Sequence, residues 1–349
     1  MPIAESVRAE QAIDFLAASA DFYPQRGLRG PALQSFLASF RGRNLRTRMV
    51  GGRRLEAASR DHFITVDDGE GGKARLHCLI SRQPESISSR GQVVLIHGWE
   101  GCAYSVYLFS LATTLYLAGF DVVRLHLRDH GGTHHLNAGI FHAGRLHETV
   151  AAVRQLADLA PQGRQALIGF SLGGNFTLRV AAAAESTQLS QAVAVCPVID
   201  TALSFQGLLD APGFYQRYFR KKMMRSLRAK QQCYPSLFNF DWVDESVDLT
   251  AIFEYFAEHL TPYGDLDGYF SQYAVHEDAL HDAHPNILVV AAADDPVVPT
   301  VPAMREWRPS STFNWEFSAS GGHCGYINDW MGRSWIDRHL LEGPLAALD

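Results

Sequence analysis

The chain has 349 residues, 47% of them hydrophobic and 19% charged, an ordinary globular composition with length for one large or two modest domains. Its formal net charge of −6 argues against bulk affinity for nucleic acid. No stretch approaches the ~18 apolar residues of a membrane span, no basic-then-apolar leader is read at the N-terminus, and Cys78, Cys102, Cys196, Cys233 and Cys324, lacking C-x-x-C spacing, read as reduced thiols of a cytoplasmic protein.

Residues 1–60 carry helical patterning and read as an arm packed on a larger core. Ala12, Ile13, Phe15, Leu16 and Ala17 suit one short helix. Leu33, Phe36, Leu37 and Phe40, at i, i+3, i+4 and i+7, give a second an apolar face to bury, with Pro31 in its first turn. Arg41, Arg43, Arg46, Arg48, Arg53 and Arg54 cluster around Gly51-Gly52. They read as a solvated connector, the sharper alternative being an anion or membrane-surface patch.

From residue 61 the pattern changes. Residues 62–66 and 74–81 flank the turn residues Asp67-Asp68-Gly69-Glu70-Gly71-Gly72 and read as a hairpin. Strands at 93–96, 120–125, 166–168 and 192–196 alternate with helices at 104–118, 145–159 and 176–184. This β-α alternation predicts a mostly parallel, doubly wound sheet with helices on both faces. The rhythm breaks over 201–284, where aromatic and basic residues interleave. Phe219, Met223 and Leu227 make an apolar stripe on a basic helix, expected as a helical lid or cap with a solvated polar side, the alternatives being membrane-surface contact or attraction of anionic substrates. Strands at 287–291 and 312–317 and a closing helix over 326–341 resume the core, which thus spans 61–200 and 285–349.

The chemistry centres on Gly169-Phe170-Ser171-Leu172-Gly173. A G-x-S-x-G between an apolar strand and a helix is a nucleophile elbow, and its partners should follow in the order acid, then His. Asp294-Asp295-Pro296 follows the strand at 287–291, and Gly321-Gly322-His323-Cys324-Gly325 the strand at 312–317. Loops at the carboxyl ends of parallel strands share one sheet edge, so Ser171, Asp295 and His323 can converge. Asp294 is the second-choice acid and Asp200 a third. The oxyanion of an acyl-transfer intermediate needs N–H donors. The expected ones are the backbone amides of Leu172 and of Trp99, in His97-Gly98-Trp99-Glu100-Gly101, with His97 as a loop-orienting hydrogen bonder. His126, His130, His134, His135, His142 and His147 read as an active-site-edge loop, because no metal-ligand motif accompanies them. No metal or other cofactor is called for.

These motifs resemble the α/β-hydrolase superfamily and, within it, the YheT-like group of bacterial hydrolases related to eukaryotic abhydrolase-domain lipid esterases. The residues that carry the resemblance are Phe22-Tyr23-Pro24, Leu28-Arg29-Gly30, Leu33-Gln34-Ser35, the 97–101 loop, Ile140-Phe141-His142-Ala143-Gly144, the elbow with Gly174-Asn175, and Asp294-Asp295-Pro296. Trp99 stands where the group usually has Leu, and Arg128-Asp129-His130-Gly131-Gly132 departs from its R-G-C-S-G segment, differences that bear on substrate preference. The resemblance implies a Ser-His-Asp carboxylic ester hydrolase with a helical lid. The expected substrate is a small-molecule or lipid-like ester, the aromatic lid favouring an apolar acyl group, with peripheral membrane contact as the option the basic helix leaves. An acyltransferase or thioesterase with the same triad is the alternative; a silent hydrolase-fold binding module is a third reading.

Overall fold

The computed structural model describes residues 20–183, 188–243, 247–281 and 283–348. The helix expected over Ala12 to Ala17 lies outside them. Eight strands form one sheet in the order β1-β2-β4-β3-β5-β6-β7-β8. They are β1 (Ser59–Asp67), β2 (Lys73–Ser81), β3 (Gln92–Ile96), β4 (Asp121–Leu125), β5 (Gln165–Phe170), β6 (Leu189–Val195), β7 (Asn286–Ala292) and β8 (Phe313–Ser318). The β1–β2 hairpin is antiparallel and joins β4 antiparallel; all pairings from β4 to β8 are parallel. Central strands β3, β4 and β5 are buried along their whole length, as continuous apolar runs in a sheet covered on both faces must be.

The helices used below are α1 (Pro31–Ser39), α2 (Gly42–Thr47), α3 (Arg53–Ala58), α4 (Val106–Leu117), α5 (Leu146–Ala157), α6 (Leu172–Ala182), α7 (Thr201–Asp210), α8 (Gly213–Cys233), α9 (Leu249–Leu260), α10 (Leu266–Ser271), α11 (Asp278–His281), α12 (Thr300–Ala303) and α13 (Trp335–Glu342). Alternation along the strands sorts the core. Val93, Leu95, Val122 and Ile168 pack with Leu108, Phe109, Leu111 of α4 and Ile336, Leu340 of α13. Val94, Ile96, Val123 and Leu167 face the other way, onto Val153 and Leu156 of α5 and Phe176 and Val180 of α6. Helices α7 to α11 connect β6 to β7. Asp200, Asp248 and Asp265 start three of them, each accepting a backbone N–H of the first turn (Leu203, Ala251, Gly268) at 2.7–2.8 Å. No helix among the described residues is long and apolar enough to cross a membrane.

Two expectations are corrected. Helix α1 forms with Pro31 at its start, yet it buries Gln34, Ser35 and Ala38 and leaves Phe36 59% and Phe40 47% exposed. Buried hydrogen bonds decide the orientation: Gln34 Nε2 donates to the carbonyls of Leu28 and Ile327, and its Oε1 accepts the Ile327 N–H at 2.7 Å. The closing helix begins at Trp335, not near 326. Tyr326 has φ +50° and Gly332 φ +75°, and a bridge between Ile327 and Ser334 closes this stretch as a turn.

Candidate active site

Ser171 sits between β5 and α6 with φ 56° and ψ −119°, a strained conformation for a residue with a side chain. The turn is possible because its flanks lack side chains. A Cβ on Gly169 would collide with the carbonyl oxygen of Gly173, and one on Gly173 would stand 2.5 Å from the carbonyl oxygens of Ile96 and His97. The Ser171 N–H donates to Val195 O at 2.9 Å, tying the turn to β6.

The loops after β7 and β8 bring the other partners to this edge. Ser171 Oγ lies 2.9 Å from His323 Nε2, and His323 Nδ1 lies 2.7 Å from Asp295 Oδ2. The second Asp295 oxygen accepts the N–H groups of Val297 and Val298, each at 2.9 Å, which fixes the carboxylate plane. Burial alone would lower the pKa of His323, but the charge and hydrogen bond of Asp295 act together against it, and the net shift is upward from 6.5. Asp294 turns elsewhere: its Oδ1 accepts the Gly322 N–H at 2.8 Å and so shapes the histidine loop. Asp200 is exposed and caps α7.

Gly98 packs on Ser171 and donates its N–H to the Tyr107 hydroxyl at 2.9 Å. Trp99 therefore follows directly after a residue in contact with the serine. Its indole stacks on Phe219 of α8 at 5.5 Å and meets Phe253 of α9 edge-on at 5.6 Å. Among the described residues no hydrogen bond within the chain uses the N–H of Trp99 or Leu172. His97 donates from Nδ1 to Gly98 O at 2.8 Å; burial lowers its pKa to about 3, so it stays neutral.

Three of the histidines after β4 are tied individually to the scaffold. His126 Nε2 accepts the Ala103 N–H at 2.8 Å, His130 Nδ1 donates to Arg128 O at 2.7 Å, and His134 Nε2 pairs with Ser226 Oγ at 2.9 Å. One set of three metal-competent side chains converges among the described residues: Cys196, His323 and Cys324, with ligand atoms within 4.8 Å of one another. Both His323 ring nitrogens are already engaged by Ser171 and Asp295, and burial holds the Cys324 thiol protonated.

Several contacts of this region have no counterpart in the sequence reading. Ser35 of α1 accepts the His323 N–H at 2.8 Å. Lys230, 1% exposed, donates to Asp129 Oδ1 at 2.8 Å and to the carbonyl oxygens of Asn137 and Gly139 at 2.7 and 3.0 Å. It continues the apolar stripe of Met223 and Leu227 at i+7, the one signal that a lysine here points inward. Arg128 and Glu148 form a second buried pair at 2.6 Å. Glu100, in the loop after β3, has φ +54°, and burial raises its carboxyl to about 7 despite a Ser226 hydrogen bond and the nearby Lys222 and Arg225 charges.

Beside Ser171 and His323 opens a chamber of about 140 Å³. Trp99, Phe141, Leu172, Phe205, Phe219 and Met223 give it apolar walls, and Asp129 and His130 lie on its border.

This strand order, elbow and convergence define an α/β hydrolase. The sequence model of the α/β hydrolase fold matches residues 91–329, and the chain belongs to that family. Among its relatives, the protein named "Putative esterase YheT" of Escherichia coli (strain K12) is 25% identical over 335 residues, covering 93% of each chain. The esterase Pf2001 of Pyrococcus furiosus superposes with a TM-score of 0.53 at 14% identity, over 85% of this chain and 91% of the other. Rv0554 of Mycobacterium tuberculosis gives 0.51 at 18% identity, over 82% and 100%. At such identities these two structures speak for the fold.

Proposed function

We propose that the chain is a serine hydrolase that cleaves a carboxylic ester through an acyl-Ser171 intermediate. The observation that carries this reading is the pair of contacts made by His323, to Ser171 Oγ at 2.9 Å and to Asp295 at 2.7 Å. A serine hydroxyl is a weak nucleophile at neutral pH. As Ser171 Oγ attacks the ester carbonyl, His323 Nε2 takes its proton, and Asp295 stabilises the imidazolium. The N–H groups of Leu172 and Trp99 receive the negative oxygen. Collapse expels the alcohol, which takes the proton from His323. Water then repeats the sequence on the acyl-enzyme and releases the acid.

The apolar chamber suits an apolar acyl group, and the relative named as an esterase supports ester chemistry. In this reading residues 61–200 and 285–349 are the catalytic core, 201–284 the lid, and 1–60 an arm that braces the histidine loop through Ser35.

Two measurements test it. A fluorophosphonate probe followed by peptide mass spectrometry should place the adduct on Ser171. Turnover of p-nitrophenyl esters of graded chain length should vanish in Ser171→Ala. Well-folded protein that is neither labelled at Ser171 nor active on any ester of the series would rule the proposal out.

A further inference from the structure

Ser171 and His323 face two adjoining spaces, which share Trp99, Phe219, Glu100 and Asp129 on their lining and differ in the residues beyond these. The first is the apolar chamber. The second is a cleft of about 1800 Å³ between α1 and α8, which also reaches Ser171 and His323. Its lining carries a cluster of cations: Arg41 stands at the end of α1, and Arg217, Lys221, Arg225 and Arg228 stand on α8. All five are exposed, and of these Arg225 has the Glu100 carboxyl nearby. Glu100 and Asp129 are the carboxylates on the lining of the cleft. Asp129 is already paired with Lys230, and burial pushes Glu100 toward its neutral form.

Such a cluster is unexpected in a chain of net charge −6. Clustered cations on one surface repel one another, and a cleft focuses their field toward an incoming anion. The aromatic rings Phe36, Phe214 and Tyr218 interleave with the cations and remain exposed, so the cleft also offers contact to an apolar portion of the same ligand.

We infer that the substrate is an ester or thioester whose leaving group carries phosphate, with the acyl chain in the apolar chamber and the phosphate between Arg41 and the cations of α8. This rests on the acyl-Ser171 reading. The apolar chamber and the cation-bearing cleft assign the two ends of the substrate: the half that stays on Ser171 is apolar, and the half that leaves is anionic. Lysine and arginine both suit phosphate, lysine as a point charge and arginine through its planar fork. Two sources share this chemistry, a phospholipid headgroup and a soluble nucleotide-bearing thioester.

The test compares three hexanoyl substrates: monohexanoyl glycerol as the neutral reference, dihexanoyl phosphatidic acid, and hexanoyl-coenzyme A. Each is measured with the wild-type protein and with the triple variant Arg217→Glu/Lys221→Glu/Arg225→Glu. The expected result is a kcat/KM for at least one phosphate-bearing substrate about tenfold above that of the glycerol ester, a ratio that collapses in the triple variant and in high salt. Preference for the phosphatidic acid alone identifies the lipid source, preference for the thioester alone the soluble one. Calorimetric binding of inorganic pyrophosphate to both proteins gives a readout independent of turnover. Pyrophosphate binding that the triple variant loses, in a wild-type protein that hydrolyses none of the three, supports the phosphate site and sinks the ester reading alone. Equal kcat/KM values with no pyrophosphate binding overturn the inference and leave the ester reading standing.

Discussion

Ser35 Oγ accepts the backbone N–H of His323 at 2.8 Å, across 288 positions of sequence. The same hydroxyl donates to Pro31 O at 2.8 Å, so the first turn of α1 and the histidine loop share one hydrogen-bond relay. Gly322 packs against this helix so closely that a Cβ would meet the Pro31 carbonyl. In the proposed mechanism α1 thus positions the imidazole through Ser35. Ser35→Ala leaves that N–H without its partner and is expected to lower kcat by about fivefold, the worth of roughly 1 kcal/mol, with KM little changed. Ser35→Thr keeps a hydroxyl and should restore most of the rate. Steady-state kinetics on one p-nitrophenyl ester settles the point; a drop in Tm with unchanged kcat would mean that Ser35 serves folding only.

The two adjacent aspartates give opposite expectations. Asp295 raises the pKa of His323 against the lowering effect of burial. Catalysis needs the neutral imidazole, so the acid limb of kcat/KM should have its midpoint above 6.5. In Asp295→Asn the larger raising contributions are gone, and burial is opposed by Cys196 alone. The limb should move to lower pH while the plateau falls by about 10³- to 10⁴-fold. Asp294→Asn removes the acceptor of the Gly322 N–H and leaves the Asp295–His323 pair in place. Its plateau should fall far less, with the limb unmoved. A pH–rate profile in which Asp294→Asn shifts the limb and Asp295→Asn does not would reverse the assignment.

Much of the architecture was readable because its signals are local. Buried parallel strands appear as the continuous runs at 93–96 and 287–291, and the elbow is a contiguous motif whose glycines have a steric reason. What could not be read depends on partners distant in sequence. The apolar residues of α1 suggested a buried face, yet Gln34 and Ser35 turn inward because their acceptors and donors lie at Ile327 and His323. Nothing local marks Lys230 as buried except its place on an apolar stripe, since its partner Asp129 follows a different strand. The choice between Asp294 and Asp295 likewise turns on which carboxylate reaches His323, a matter of loop conformation.

The Lys230–Asp129 pair fastens α8 to the loop after β4, and Lys230 also satisfies two carbonyl oxygens there. Lys230→Met keeps the aliphatic bulk and strands a buried carboxylate. The expected cost is about 3–5 kcal/mol in chemical denaturation at neutral pH. Burial already holds the folded pKa of Asp129 above 3.8, and losing the cation raises it further. Stability linked to a raised carboxyl is fully present below its unfolded pKa and is lost as pH rises through the folded value. The deficit of Lys230→Met should therefore shrink as pH falls, and Asp129→Asn added to it should recover part of the loss at pH 7. A deficit that does not change with pH would show that packing, not charge, carries the interaction.

Trp99 puts an aromatic wall on the chamber that Ser171 borders. Its ring lies nearly parallel to Phe219, at an interplanar angle of 8°, and meets Phe253 at 69°. Each such contact is worth about 0.5–1.5 kcal/mol beyond the area it buries. Trp99→Leu removes both and lengthens the chamber toward α8 and α9, while the backbone N–H at position 99 is retained. Hydrolysis of a short acyl ester should then stay within about threefold of wild type, because the proposed oxyanion donor is a main-chain group. Longer acyl esters should gain relative to short ones, since the new space admits extra methylenes at about 0.8 kcal/mol each. Thermal unfolding should move down by several degrees as the stacks are lost. The measurement is the chain-length profile of kcat/KM for both proteins. An unchanged profile alongside a lowered Tm would assign Trp99 to holding α8 and α9 in place, and would leave Phe141, Phe205 and Met223 to set the length of the acyl group.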